Sequence, residues 1–176
     1  KVDIIYHLAA ILSTKAEKDK DLAYDVNVNG SKYLIDAAII QNNPVTFFFP
    51  SSIAVYNVNH ISKDSITEDD TNDLPATIYG QNKLEIEEYG SKAINTNFDF
   101  RCIRFPGIIS ATTIPTGGTS DYAPEMIHYA IQNKNYTCFV RPDSCIPFMV
   151  AQFSSTDTAL DSCLRRNDGL GLSQKI

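Results

Sequence analysis

Short apolar runs separated by longer segments of helical spacing limit the folds open to this chain more than any other feature. Three runs rich in β-branched and aromatic residues predict buried strands: VDIIYHLAA (2–10), VTFFFPSS (45–52) and FDFRCIRFPGII (98–109). A fourth run, YTCFV (136–140), predicts a shorter strand. These strands form the expected framework of the fold.

Between the strands, apolar residues recur at steps of three and four, which is the spacing of a helix with one buried face. This spacing predicts helices over 21–41, 79–94 and about 123–133. In the first helix it assigns the buried face to seven residues: Ala23, Val26, Gly30, Tyr33, Leu34, Ala37 and Ala38. An order of strand, helix, strand, helix, strand is typical of a parallel α/β sheet covered by helices.

Charge and composition exclude several classes of function. The chain of 176 residues has a formal net charge of -6, which argues against a nucleic-acid partner. Its apolar runs are all shorter than the roughly 18 residues of a membrane span, so no membrane partner is expected. Its four cysteines form no CxxC pair, and its three histidines have no metal-ligand spacing. The sequence therefore predicts a cytoplasmic protein with reduced thiols and no metal site.

Polar residues follow each of the three main strands. Ser13 comes after the first strand, Ser51 and Ser52 end the second, and Pro106-Gly107 breaks the third. Ligands of parallel sheets bind at the carboxyl ends of the strands, so these residues are candidates for a binding site. The alternative is that the serines only cap helices or turns, and that Pro106-Gly107 only ends a strand.

The stretch TIYGQNK (77–83) places Tyr79 four residues before Lys83, one helical turn apart. A tyrosine acting as a base near pH 7 needs its pKa lowered from about 10, and a nearby ammonium favours the phenolate. Ser52, at the same edge of the sheet, offers a hydroxyl to hold a substrate oxygen. Taken alone, the pair also fits two exposed residues that share a helix face.

Five segments carry a resemblance when they are taken in order: YHLAA, VNVNG, FFPSSIAVY, YGQNK and FRCIRFPGIIS. Over about residues 2–150 the chain resembles the extended short-chain dehydrogenase/reductase family. PGIIS followed by GGTSDYA is similar to the L-threonine 3-dehydrogenases of that family. The resemblance implies a doubly wound, Rossmann-type parallel sheet from its fourth strand onward, with part of a small substrate-binding region. It also implies NAD as the cofactor and L-threonine as the substrate.

The resemblance implies a role for each matching residue. Tyr79 would be the base, Lys83 would lower its pKa and bind the nicotinamide ribose, and Ser52 would hold the substrate oxygen. Tyr79 and Lys83 would border the cofactor together with Leu8, Ala9, Ala10, Asn27, Pro50, Ser51, Phe105, Pro106, Gly107 and Ile108. The substrate would contact Ser13, Ser51, Ser52, Tyr79, Gly118, Thr119 and Ser120.

One motif of the family is not found in the chain. Family members carry a glycine-rich turn after their first strand, which cradles the NAD pyrophosphate at a helix N-terminus. We therefore expect a fragment that lacks the N-terminal half, binds NAD weakly by itself and leaves an apolar strand edge at Ile4–Leu8. The expected partner is a second copy in a homodimer, or a complementing N-terminal half.

The domain expectation follows from the same resemblance. Residues 1–160 would form a truncated dinucleotide-binding and catalytic domain, with a substrate loop at about 110–150. Residues 161–176 change in character and are expected to be a disordered tail. Two alternatives remain open: a nucleotide-sugar epimerase or dehydratase of the same fold, and a non-catalytic remnant or half of a split protein.

Overall fold

The computed structural model describes residues 1–41, 43–57, 65–70, 73–110, 118, 120–142 and 144–150, and the backbone of 174–175. The chain divides into two compact units, Lys1–Phe105 and Pro106–Gln174. The strands are β1 (Ile4–Tyr6), β2 (Val45–Ser52), β3 (Ser65–Ile66), β4 (Phe98–Phe105), β5 (Gly107–Ile109), β6 (Phe148–Val150) and β7 (Gln174–Lys175). The α-helices are α1 (Ser13–Lys18), α2 (Lys20–Tyr24), α3 (Gly30–Ile40), α4 (Ile78–Lys92) and α5 (Tyr122–Ile131). A π-helix spans Asp25–Asn29 and a 3₁₀-helix spans Ile53–Val55.

The first unit is built on a three-stranded parallel sheet, which confirms the predicted fold class. Its strand order is β1-β2-β4, with Ile5 opposite Phe47 and Phe49 opposite Cys102. The bounds predicted for β2 agree with those observed. β1 is shorter than predicted, and the third predicted strand is divided into β4 and β5 at Pro106 because proline cannot donate to a strand ladder.

The core lies on one face of this sheet, beneath α3 and α4. Phe47, Phe49, Phe98 and Phe100 are buried there and stack on one another, with the Phe47 and Phe100 ring centroids 5.9 Å apart. Ile35, Val28 and Ile86 close this core from the helices. Burying an aromatic side chain of this size contributes about 1.5–3 kcal/mol, so this face supplies much of the stability of the unit.

The helix predicted over 21–41 is present as α2, the π-helix and α3, but its predicted buried face was correct only at Ala23 and Ala38. The residues that are buried are Ala23, Asn27, Val28, Ser31, Ile35 and Ala38, whereas Val26, Tyr33, Leu34 and Ala37 are exposed. The π-helix inserts one extra residue into the turn, which rotates the buried stripe away from the spacing of an uninterrupted α-helix.

The second unit contains β5, β6 and α5, and its two strands pair in parallel. Tyr122 packs edge-on against Phe139 and Phe148 at centroid distances of 6.1 and 5.8 Å. The strand predicted at 136–140 was wrong: Tyr136 instead donates its hydroxyl proton to Glu125 at 2.6 Å, and this segment pairs with no strand among the described residues. The predicted tail, 161–176, lies outside the described residues except for β7.

Two features are absent from the described residues. Within these residues, no helix is long and apolar enough to cross a membrane. The same part of the chain holds no group of three or more His, Cys, Asp or Glu side chains that could bind a metal ion.

Candidate active site

The start of α4 is fixed by two capping contacts that place Tyr79 in its first turn. The Thr77 hydroxyl oxygen accepts a hydrogen bond from the Gly80 N–H at 3.0 Å, and the Glu17 carboxylate accepts one from the Ile78 N–H at 2.7 Å. Capping of this kind satisfies N–H groups that have no partner inside the helix. Because both caps act within three residues of Tyr79, they set where its side chain lies.

Gly80 lets this turn approach the segment that follows β2. A Cβ atom at Gly80 would collide with the Ala54 carbonyl oxygen. Any larger residue would therefore push α4 away from the Ile53–Val55 helix, and with it Tyr79 from the end of β2. The glycine in TIYGQNK thus serves close packing of backbone against backbone.

Lys83 is buried on the inner face of α4. Its ammonium donates a hydrogen bond of 2.7 Å to the Pro50 carbonyl and lies 4.4 Å from the centroid of the Phe49 ring. The residue is 4% exposed, and burial lowers the pKa of Lys83 to about 8, against the opposing effect of the Glu87 carboxylate. Tyr79 is on the same helix, with its ring centroid 5.5 Å from the Lys83 nitrogen.

The electrostatics of Tyr79 differ from what the resemblance implied. Burial raises the pKa of Tyr79 above its ordinary value of 10.0, whereas a lowered pKa was expected from Lys83. The physical reason is that the half-buried phenol loses water, while the Lys83 ammonium points at the Pro50 carbonyl. In this arrangement the phenol is held neutral.

The two serines at the end of β2 differ in their surroundings. Ser52 is half-buried, and its oxygen accepts a hydrogen bond of 3.1 Å from the Ala54 N–H, so it caps the 3₁₀-helix. Its hydroxyl proton is still available to a further acceptor. Ser51 is 4% exposed, and its buried hydroxyl has no hydrogen-bond partner. A buried polar group without a partner is costly, which makes Ser51 a candidate for contact with a ligand.

The loop after β1 is clamped by Asn27 from the π-helix. The Asn27 amide accepts a hydrogen bond from the Ile11 N–H at 2.7 Å and donates one to the Ile11 carbonyl at 3.0 Å. Asn27 is 4% exposed, so its side chain is enclosed rather than facing solvent. The clamp fixes the segment between β1 and α1. That segment carries three of the predicted site residues, the exposed Leu8 and Ala9 and the half-buried Ala10. It leads into a fourth, the buried Ser13, at the start of α1.

His7 is a hydrogen-bonded core residue. Its Nε2 atom lies 2.8 Å from the Ser31 hydroxyl, which donates its only proton to the Asn27 carbonyl at 2.6 Å. Since that hydroxyl proton is already used, Nε2 of His7 must carry a proton and donate it to Ser31. Burial, and then the charge of Lys83, lower the pKa of His7 below 6.5, so the ring is neutral.

Comparison with known proteins places this geometry in a family. Residues 1–145 match the model of the NAD-dependent epimerase/dehydratase family. The chain belongs to this family. It is 34% identical over 166 residues to the mitochondrial L-threonine 3-dehydrogenase of Bos taurus, covering 94% of this chain and 41% of that protein. It is 35% identical to an uncharacterised epimerase/dehydratase of Staphylococcus haemolyticus, covering 94% of this chain and 49% of that protein.

A solved structure is similar to this chain in both fold and sequence. The L-threonine dehydrogenase of Clostridium difficile aligns with a TM-score of 0.79 and 33% identity, over 99% of this chain and 53% of that chain. The Rossmann-type fold expected from the sequence is thereby confirmed. The chain spans less than half the length of the two curated family members that it resembles.

The remaining predicted site residues of this family member lie at the end of β4 and in the second unit. Phe105 ends β4 in the first unit, and Pro106 begins the second. In β5, Gly107 packs so closely on Phe148 that a Cβ atom would lie 2.5 Å from the ring and 3.2 Å from the Ser120 Cβ. Three predicted site residues remain. Ile108 is exposed, and the Gly118 N–H donates a hydrogen bond of 2.7 Å to the Asp121 carboxylate. Thr119 lies outside the described residues.

Sequence reasoning missed a buried ion pair beside Lys83. Glu87 and Arg104 are paired at 2.6 Å, with side chains that are 7% and 16% exposed. Charged residues are normally read as solvated, so neither was singled out. Two signals could have found them: Glu87 falls one turn after Lys83 on the buried stripe of α4, and Arg104 interrupts an apolar strand.

Proposed function

We propose that this chain carries the catalytic residues of an NAD-dependent L-threonine 3-dehydrogenase. The reaction oxidises the 3-hydroxyl group of L-threonine to give 2-amino-3-ketobutyrate. The observation that carries the proposal is the placement of Lys83, which is buried one turn after Tyr79 and bonded to the Pro50 carbonyl, directly before Ser51 and Ser52. A phenol, an ammonium and two hydroxyls are thereby supported by β2 and α4.

Each of these side chains has a task in the proposed reaction. Tyr79 takes the proton of the substrate hydroxyl, for which its phenol must first ionise. Because burial raises the pKa of Tyr79, the positive charge of Lys83 is needed to favour the phenolate. Ser52 donates its free hydroxyl proton to the substrate oxygen and so holds that oxygen toward Tyr79.

The residues present fit NAD at the carboxyl ends of the strands. Leu8 and Ala9 are exposed directly after β1, and the buried, unpartnered hydroxyl of Ser51 offers a hydrogen bond. NAD, when bound, would accept the hydride released from the threonine β-carbon. Further residues proposed to border it are Ala10, Asn27, Pro50, Phe105, Pro106, Gly107 and Ile108. Ser13, Gly118, Thr119 and Ser120 are proposed for the substrate.

The outer edge of β1 is the proposed contact for a complementing strand. Among the described residues β1 pairs only with β2, and Val2, Ile4 and Tyr6 are each about half exposed. Parallel sheets are normally covered on both faces, and an edge strand presents unpaired N–H and C=O groups that can bind another strand, so this edge is suited to a further strand. The strand would come from a separate N-terminal half. A homodimer through the exposed apolar residues of α3, such as Tyr33 and Ile40, is the other proposed partner.

The test is threonine-dependent formation of NADH by the purified chain. We would measure it with the chain alone and after adding a separately produced first half of a close relative. Tyr79→Phe should lower the rate by at least about 100-fold, because general base catalysis contributes about that much or more. The matched control is Tyr89→Phe on the same helix, since the Tyr89 hydroxyl donates to Asp36 rather than facing the site. Equal rates in the two variants would contradict the proposal.

A second function is favoured by the other type of relative. The similarity to an epimerase/dehydratase suggests a nucleotide-sugar substrate for the same Tyr79 and Lys83. It would be recognised by turnover of UDP-galactose or UDP-glucose in the same assay mixtures, without net formation of NADH. Turnover of a nucleotide sugar that exceeds turnover of threonine would replace the first proposal with this one.

A further inference from the structure

Glu87, Arg104 and Tyr56 form a buried polar network next to the proposed catalytic residues. The Arg104 guanidinium donates from Nε to both Glu87 oxygens, at 3.0 and 3.1 Å, and from Nη2 to Oε2 at 2.6 Å. Its Nη1 group donates to the Tyr56 hydroxyl at 3.0 Å and to the Glu68 carbonyl at 2.7 Å. The carboxylate is therefore fixed in one position by a bidentate, charge-assisted contact.

This network lies one helical turn from Lys83. Glu87 follows Lys83 by four residues on the inner face of α4, a spacing that brings side chains of a helix within about 5–6 Å at Cβ. Both residues are at most 5% exposed, so their charges interact with little screening by water. The other ionisable groups around Lys83 in the described part of the chain are Tyr79 on its own helix and His7, which directly follows β1 and is neutral.

Lys83 needs such a counter-charge. Among the described residues, its uncharged contacts are the Pro50 carbonyl and the rings of Phe49 and Tyr79, and an ammonium that has lost its water is destabilised. Burial lowers the pKa of Lys83 and the Glu87 carboxylate raises it. Without a negative charge nearby, a lysine in this position would lose its proton closer to neutral pH.

We propose that Glu87, clamped by Arg104, is a positioning residue that keeps the buried Lys83 protonated beside Tyr79. The inference rests on the proposed function, because a charged Lys83 matters only where Tyr79 must ionise. Arg104 has two effects in this arrangement. It fixes the carboxylate one turn from Lys83, and it balances the charge of Glu87, so that the three side chains together keep one positive charge facing Tyr79.

The alternative is that the Glu87–Arg104 pair only fastens α4 to β4. Breaking such a pair is destabilising in either case, so a loss of stability does not separate the two ideas. The protonation of Lys83 does separate them, because a purely structural pair would leave it unchanged. That measurement needs neither NAD, nor substrate, nor catalytic turnover, so it remains informative if the proposed function fails.

The experiment is an NMR titration of the Lys83 side chain in the whole chain, labelled with ¹³C at lysine Cε and assigned by its loss in Lys83→Arg. Glu87→Gln keeps the size of the side chain and one acceptor oxygen for Arg104, and removes the charge. We expect it to lower the titration midpoint of Lys83 by about one unit or more. Glu85→Gln is the matched control: it removes a carboxylate from the same helix, one that is bound to Lys32 at 2.6 Å, and should shift the midpoint by less than about 0.3 units.

Glu87→Asp provides a second test that keeps the charge. It should leave the midpoint of Lys83 within about half a unit of the unmodified chain, and it decides the question if Glu87→Gln does not fold. A larger fall in Glu87→Asp would overturn the proposal. So would a Lys83 midpoint that moves equally, or not at all, in Glu87→Gln and Glu85→Gln. Failure of the proposed function would instead appear as equal rates for Tyr79→Phe and Tyr89→Phe.

Discussion

The two faces of the β1-β2-β4 sheet differ in how far their apolar side chains are covered. The face beneath α3 and α4 buries the four stacked phenylalanines, and at its carboxyl end it also buries Lys83 and Glu87. On the opposite face, Ile4, Tyr6 and Leu8 are between 46% and 71% exposed. The phenylalanines that stabilise the first unit therefore lie on the same face as the buried Lys83, so the core directly supports the candidate site.

The largest expected difference between the faces is in unfolding free energy. Phe49→Ala removes a ring that stacks on Phe100 and lies beneath the Lys83 ammonium, and should cost about 3–5 kcal/mol. Tyr6→Ala, on the opposite face, should cost less than about 1.5 kcal/mol because the side chain is half exposed. Urea unfolding followed by far-UV circular dichroism measures both. Equal losses would mean that the two faces contribute alike.

The next effect is a pH dependence of stability that comes from Lys83, on the face of the sheet beneath α3 and α4. The pKa of Lys83 is lowered from 10.5 to about 8, so between these values the unfolded chain binds more protons than the folded one. Stability therefore rises with pH across this window, by up to about 3 kcal/mol from this group. Lys83→Met should abolish that contribution. The measurement is the difference in unfolding free energy between the two proteins at pH 8 and at pH 10.5, and a difference that does not grow would contradict it.

Three elements show which parts of the fold and of the candidate site the sequence predicts. β2 was predicted with its observed bounds because its apolar run is uninterrupted and begins directly after Pro44. Tyr79 and Lys83 were predicted together because four residues make one helical turn whatever the surroundings. The strand at 136–140 was wrong because strand formation needs a neighbouring strand, which local composition does not reveal.

The parts of the site that could not be predicted depend on tertiary contacts. The pairing of Glu87 with Arg104 joins a helix to a strand 17 residues away. The clamp between Asn27 and Ile11 depends on an extra residue in the helix turn, and no local pattern distinguishes a π-turn from an α-turn. Resemblance identified Asn27 as a site residue, but its hydrogen bonds became visible only in the structure.

A smaller effect on unfolding free energy is expected from Asn27, which holds the loop after β1. Asn27→Ala removes both hydrogen bonds to Ile11 and leaves two backbone groups without partners, which should cost about 1–3 kcal/mol. Asn29→Ala is the matched control in the same π-helix, because the Asn29 side chain donates to the exposed Asp25 side chain rather than to the backbone of the Ile11 loop. It should change stability by less than about 0.5 kcal/mol. Hydrogen exchange at the Ile11 amide should accelerate in Asn27→Ala and remain unchanged in the control.

The smallest expected effect is that of His7. Its pKa is lowered below 6.5 by burial, so as the pH falls through 6.5 the unfolded chain takes up a proton before the folded one does. The contribution of His7 to stability is complete above pH 6.5 and is lost in acid. His7→Gln should therefore reduce the acid sensitivity of unfolding relative to the unmodified chain. A steeper loss of stability below pH 6.5 in this variant would count against a neutral, Nε2-protonated His7.

The π-helix at Asp25–Asn29 also determines how this segment should be aligned with relatives. One residue of an α-helix corresponds to a rotation of about 100°, so an alignment that ignores the extra residue of the π-helix would match residues from different sides of the helix. A single-residue gap in this segment is therefore structurally meaningful and should be placed within 25–29 rather than moved to the nearest loop. Placed elsewhere, it would match Asn27 to a residue that does not face the Ile11 loop.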